Sequence, residues 1–195
     1  MQHTSLETIN RCWFDTNLKT DNCYNSNWVF PEEPLVQGQW TLSANTIFNT
    51  EWIEYCESKG IHLLGDVMLF YKAPLLNPHR AHVDVNEHSH TTWALNWCLN
   101  DDSGTMYWYN TPTEDNEKLY PSKDKKYIEW DTRKLELVDQ KDIKTDIVLC
   151  RVDIPHSIKC GKQPRWCISI RAWLGGEEMP EWNDVVSKFK DMDLI

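Results

Sequence analysis

Glycine is scarce in this chain of 195 residues: there are seven, none in a GxGxxG or GxxxxGK pattern. Loops that cradle phosphates need glycines at such spacings, so that backbone N–H groups can close on the ligand. Nucleotide chemistry of that kind is excluded, and the GxSxG nucleophile elbow is missing too. Positive charge is thin, with 20 Lys and Arg against 30 Asp and Glu, a net charge of −10 and a pI of about 5.1. No basic run exceeds Lys125-Lys126. Duplex nucleic acid is gripped through its phosphates by clustered Lys and Arg, so it is not an expected partner, and neither is an anionic membrane surface. No apolar run approaches the roughly 18 residues that cross a bilayer. Met1 to Phe14 lacks the charged start and apolar stretch of a signal peptide.

The seven cysteines form an odd set without CxxC spacing. Cys56, Cys98, Cys150 and Cys167 lie in apolar stretches, where cysteine serves as a small buried hydrophobe. The expectation is a reduced, cytoplasmic protein without structural zinc or disulfides. The length suits one domain covering residues 1–195. The eleven tryptophans, Trp93, Trp97, Trp108 and Trp130 among them, read as strand and core residues rather than as a sugar-stacking face.

Residues 1–40 are polar, with turn signals at Pro31, Pro34 and Gly38, and predict a partly irregular N-terminal layer. Ile47, Trp52, Ile53, Tyr55 and Cys56 recur at helical spacing and predict a helix over 46–59 that stops at Gly60. Val67–Tyr71, Ala81–Val85, Trp93–Leu99, Thr105–Tyr109, Lys134–Val138, Asp146–Val152 and Trp166–Ala172 read as strands. Three of them (81–85, 93–99 and 166–172) alternate with period 2, the mark of half-buried strands. Residues 110–131 are polar, without apolar periodicity, and read as a long loop that is either a lid or a floppy insertion. Pro180 followed by Trp182, Val185, Val186 and Phe189 predicts a C-terminal amphipathic helix.

Chemistry concentrates at His82-Val83-Asp84. On a strand, residues i and i+2 share a face, so His82 and Asp84 can grip one metal ion side by side. A histidine from another strand, His156, would complete a two-histidine, one-carboxylate facial set whose open positions suit non-haem Fe(II) oxygen chemistry. With seven histidines and sixteen aspartates, an HxD triplet alone is little more than chance supplies. Context adds weight. Gly161-Lys162-Gln163-Pro164 reads as a hairpin turn, which would pair Cys160 with Arg165 and set His156 opposite Ser169. His156, Arg165, Ser169 and Arg171 would then face one way. Arg165 and Arg171 both offer a planar fork suited to a carboxylate, but they lie about 20 Å apart along a strand, and spacing does not choose between them. His88 and His90 form an HxH pair without the glutamate that follows in cupin-type sites, and read as a solvated loop near the site mouth. His3, His62 and His79 read as surface residues.

HRAHVDV, WALNWCLN with GTMYWY, PHSI and RWCISIRAW together resemble the Fe(II)/2-oxoglutarate-dependent dioxygenases, most of all their prolyl-hydroxylase and phytanoyl-CoA-hydroxylase branches. The resemblance covers about Val67 to Trp173. It implies a mainly β, double-stranded β-helix (jelly-roll) fold, with its core at about 61–175, an N-terminal helical layer and a C-terminal helix. It implies that His82, Asp84 and His156 ligate Fe(II), and that Arg165 binds the distal carboxylate of 2-oxoglutarate. Asn96 and Tyr71 would contact the cosubstrate, with Arg171 as the competing arginine. Cys167 stands where some members carry serine, and Ser103-Gly104 where they carry a glycine pair. The implied reaction hydroxylates a small-molecule or peptide substrate. Two other readings stand beside it: a cupin-like metal enzyme using His88 and His90, and a non-catalytic jelly-roll module that binds carbohydrate.

Overall fold

The computed structural model describes residues 11–75, 80–84, 92–101, 104–111, 118–122, 125–175 and 181–195; for 118–128 it describes the backbone alone. His3, His79, His88, His90 and Ser103 lie outside these residues. In chain order the elements are β1 (Trp13–Asp15), β2 (Gln37–Ser43), α1 (Ala44–Ile47), α2 (Thr50–Ser58), β3 (Ile61–Lys72) and β4 (Arg80–His82). Next come β5 (Trp93–Cys98), β6 (Thr105–Tyr109), β7 (Lys118–Ser122), β8 (Lys125–Asp131) and β9 (Leu137–Asp142). Then follow β10 (Ile147–Arg151), β11 (His156–Lys159), β12 (Arg165–Leu174) and α3 (Trp182–Asp191).

The strands form two antiparallel sheets, ordered β1-β10-β5-β12-β3-β2 and β7-β8-β4-β11-β6-β9. Successive strands β3, β4, β5 and β6 alternate between the sheets, and so do β9 to β12 after one shared step. The inner four of each sheet, β10-β5-β12-β3 and β4-β11-β6-β9, interleave as a double-stranded β-helix. The fold is the expected mainly β jelly roll with flanking helices. β1 and β2 extend the first sheet at its two edges, and the β7–β8 hairpin extends the second beside β4.

Side-chain size decides which face of the first sheet does what. Trp93, Leu95, Trp97, Ile147, Leu149, Ile168, Ile170, Val67 and Leu69 point away from the second sheet. There they pack on Ile47, Trp52 and Cys56 of α1–α2 and on Trp182, Val185, Val186 and Phe189 of α3. The Phe189 ring meets Trp93 edge-on at 5.6 Å. The opposite face carries smaller groups, Ala94, Cys98, Val148, Cys150 and Cys167, packed against Met106 and Trp108 of the second sheet. Bulk under the helices and small residues inside leave room between the sheets for polar side chains. Trp52, Trp93, Trp97, Trp108, Trp130 and Trp182 are all buried, as core residues should be. All seven cysteines are buried thiols, none of them in a disulfide.

Four sequence expectations change. The 46–59 helix is two helices, because Asn49 leaves helical geometry and caps α2 by accepting from the Trp52 N–H at 2.8 Å. β5 is buried on both faces, since its alternation is between a helix-covered face and the interior, with neither in water. The strand expected at 134–138 starts instead at Leu137, after a 3₁₀ turn at Thr132–Lys134 capped by Asp131. Much of the segment expected as a long loop is the β7–β8 hairpin, bonded through β8 to β4 so that Glu129 stands opposite His82.

The β11–β12 hairpin is also corrected. His156 pairs with His82 and Trp108, and Arg165 with Lys72. Residues 161–164 therefore cross from one sheet to the other instead of closing a ladder. His156 and Arg165 still face the same space, because the two sheets face each other.

Candidate metal centre

β4 ends at His82 and β11 begins at His156, directly opposite in register. Asp84 follows β4, its N–H donating to the Val152 carbonyl at 3.0 Å. One donor atom from each of His82, Asp84 and His156 falls within a group spanning no more than 4.8 Å. Asp84 Oδ1 lies 3.2 Å from His82 Nε2 and 3.5 Å from His156 Nε2. Two donors about 2.1 Å from one ion, at right angles around it, sit about 3 Å apart, so these separations suit a shared cation. The His156 Nδ1 lies 3.0 Å from the Ile154 carbonyl. A proton on Nδ1 would satisfy that contact, so that a metal ion displacing the Nε2 proton shared with Asp84 would meet the Nε2 lone pair, the tautomer a metal ligand needs. The residues present fit a divalent ion with three protein ligands and open positions.

Electrostatics prepare the donors. Burial alone would raise Asp84, but the His156 charge, hydrogen bonds from both histidines and the Arg171 guanidinium hold it well below the usual carboxylate range. Burial pushes His82 below its ordinary value, partly opposed by its hydrogen bond with Asp84. A deprotonated carboxylate and a neutral imidazole are the forms that bind metal.

The other expected residues separate. Arg171 donates to Asp84 Oδ2 at 2.7 Å and to Ser169 Oγ at 3.1 Å, so it braces the carboxylate. Arg165 is 2% exposed, lies among Cys98, Cys160 and Cys167, and pairs with no carboxylate among the described residues. Asn96 is buried on the inner face opposite Ser169, its Oδ1 without a hydrogen-bond partner among the described residues. Tyr71 goes elsewhere. It stands opposite Trp166 and packs on that ring at 4.8 Å, and its hydroxyl lies 2.5 Å from Glu33 Oε1. Strand alternation puts it on the face away from Arg165, which removes it from the cosubstrate contacts expected of it.

Lys72 was missed by sequence reasoning. It stands directly opposite Arg165, and its charge acts on His82 and responds to Asp84. A lysine closing an apolar strand reads as a solvent-exposed end, and only the register of β3 against β12 reveals its place.

No family model and no curated protein matches the chain. Among solved structures it is similar to a prolyl hydroxylase from Trichoplax adhaerens, solved in complex with a hypoxia inducible factor oxygen degradation domain peptide fragment. The identity is 13% and the TM-score 0.38, over 71% of this chain and 64% of that one, less than two thirds of its length. Strand order, and not this likeness, establishes the jelly roll. Among the described residues no helix is long and apolar enough to cross a membrane.

Proposed function

We propose that this chain is an Fe(II)- and 2-oxoglutarate-dependent oxygenase that hydroxylates a small-molecule or peptidyl substrate. The observation that carries the reading is the convergence of His82, Asp84 and His156 from the paired strands β4 and β11 of one sheet, with a buried arginine on the facing sheet that has no carboxylate partner among the described residues. Two histidines and one carboxylate suit Fe(II) with room for a chelating ligand. When bound, Fe(II) with 2-oxoglutarate and dioxygen supplies oxidative decarboxylation to succinate and CO2, coupled to oxygen insertion into a C–H bond.

The chain's own residues have distinct tasks. His82, Asp84 and His156 hold the ion, and Arg171 fixes the Asp84 rotamer through Oδ2 so that Oδ1 faces the ion. Arg165 receives the distal carboxylate. A guanidinium this buried carries a desolvation cost that an anionic ligand would offset. Asn96 presents an unpartnered amide oxygen, or its NH2 after the amide turns over, to the cosubstrate or an adjacent water. The apolar inner residues Cys98, Cys150 and Cys167 keep bulk water from the site.

The test is anaerobic titration of the Fe(II)-loaded protein with 2-oxoglutarate, followed by the visible charge-transfer band of the chelate. The wild type should develop the band, and His82→Ala and Asp84→Ala should not. Turnover of 2-oxoglutarate retained in either variant would remove the assignment.

A further inference from the structure

We propose that Lys72 is the second cation of the cosubstrate pocket, sharing the distal carboxylate of a dicarboxylic 2-oxo acid with Arg165. The inference rests on the oxygenase reading and adds to it a residue that selects for the second carboxylate.

β3 ends at Lys72 and β12 begins at Arg165, the two residues directly opposite in an antiparallel pair. Directly opposed residues share a face, so both side chains turn to the inner side of the sheet. Like charges placed opposite one another destabilise a sheet, and the low dielectric of the interior strengthens that repulsion. Among the described residues neither cation has an ion-pair partner; the acid whose charge reaches Lys72 is Asp84, which is already held by Arg171. Gln37, opposite Lys72 on β2, is uncharged. Glu33 bonds Tyr71, whose side chain leaves the other face of β3. Burial, and then the charge of Arg165, push the Lys72 amine below its ordinary value.

An interior with Arg165, Arg171 and Lys72 against Asp84 is positive, inside a chain whose net charge is −10. An anionic ligand whose far end lies between Lys72 and Arg165 removes the repulsion and gives each cation a partner. A 2-oxo acid without a distal carboxylate leaves both unpaired, so the pair discriminates between the two ligand types.

The experiment compares 2-oxoglutarate with 2-oxobutanoate, which has the same chelating head and no distal carboxylate, by the anaerobic Fe(II) titration above. Lys72→Met should weaken 2-oxoglutarate binding about tenfold or more, the scale of one charge-assisted hydrogen bond, and leave 2-oxobutanoate within about twofold of wild type. Lys72→Arg should recover most of the loss, and Lys72→Gln replaces Lys72→Met if the latter does not fold. Unchanged 2-oxoglutarate binding, or equal weakening of both acids, overturns the proposal. If the wild type shows no Fe(II) chelate with 2-oxoglutarate, the oxygenase reading fails. The clamp is then judged in metal-free protein by NMR titration with glutarate: saturable binding lost in Lys72→Met supports it, and binding unchanged in that variant overturns it.

Discussion

Arg171 donates to Asp84 Oδ2 at 2.7 Å, while Oδ1 of the same carboxylate faces the Nε2 atoms of His82 and His156. One oxygen is braced and the other is left for a cation. Residues that orient metal ligands typically account for tenfold to a hundredfold in affinity. Arg171→Leu should therefore lower Mn(II) or Fe(II) affinity by about 10- to 100-fold, measured by metal titration. A variant with wild-type metal affinity but a raised 2-oxoglutarate requirement would give Arg171 the role assigned to Arg165.

Arg165→Ala removes the guanidinium proposed to receive the distal carboxylate and leaves His82, Asp84 and His156 untouched. Metal affinity should hold, while the 2-oxoglutarate concentration at half-saturation rises by about ten- to a hundredfold, the range for a lost hydrogen bond to a charged group. A loss of metal binding of the same size would show that Arg165 supports the donors.

Asn96 has a buried Oδ1 with no hydrogen-bond partner among the described residues, while its side chain bonds the Cys150 sulfur and its Nδ2 lies 3.9 Å from Met106 Sδ. An unsatisfied buried acceptor costs about 1–3 kcal/mol. Asn96→Leu should raise the denaturation midpoint of the metal-free protein and weaken 2-oxoglutarate binding. A lowered midpoint would mean that Asn96 is structural.

Burial, helped by Cys23 and Glu57, pushes the Cys56 thiol up to about 12 from an ordinary value of 9.0. The folded chain keeps this proton where the unfolded chain loses it. The stabilisation is complete below about pH 9 and declines as pH rises toward about 12. Urea midpoints measured with reductant should fall between about pH 8 and about pH 10.5, with a shallower fall in Cys56→Ala. Equal slopes would place the alkaline sensitivity elsewhere.

Gly104 has φ +116°, and a Cβ there would come 2.1 Å from the Lys159 carbonyl oxygen, where β6 meets β11. Gly104→Ala should cost about 2–4 kcal/mol through strain and displaced backbone, read from chemical denaturation. A cost under about 0.5 kcal/mol, the range of ordinary surface substitutions, would show that the strands adjust freely.

Much of the β framework follows from local sequence. Alternation at Trp93–Leu99 and Trp166–Ala172 marks strands because side-chain direction reverses at each residue, whatever packs on either face. That alternation does not say what each face meets. At β5 the large residues turned out to lie under helices and the small ones toward the site, a difference in tertiary partner that the pattern leaves open. The hairpin drawn from the 161–164 turn failed for a related reason. A turn limits how two strands are joined, but strand order depends on partners far along the chain.

By itself the sequence placed two candidate donors side by side. His82 and Asp84 share a strand face through the two-residue period, and the scarcity of glycine, basic runs and CxxC pairs removed competing chemistries. Only the tertiary structure decided that His156 stands against His82 across a β4–β11 pairing. It also gave Arg171 to Asp84, turned Tyr71 away and set Lys72 beside Arg165. Each of these depends on which of two packed sheets a strand joins and in what register, and both are fixed by contacts between residues distant in the chain.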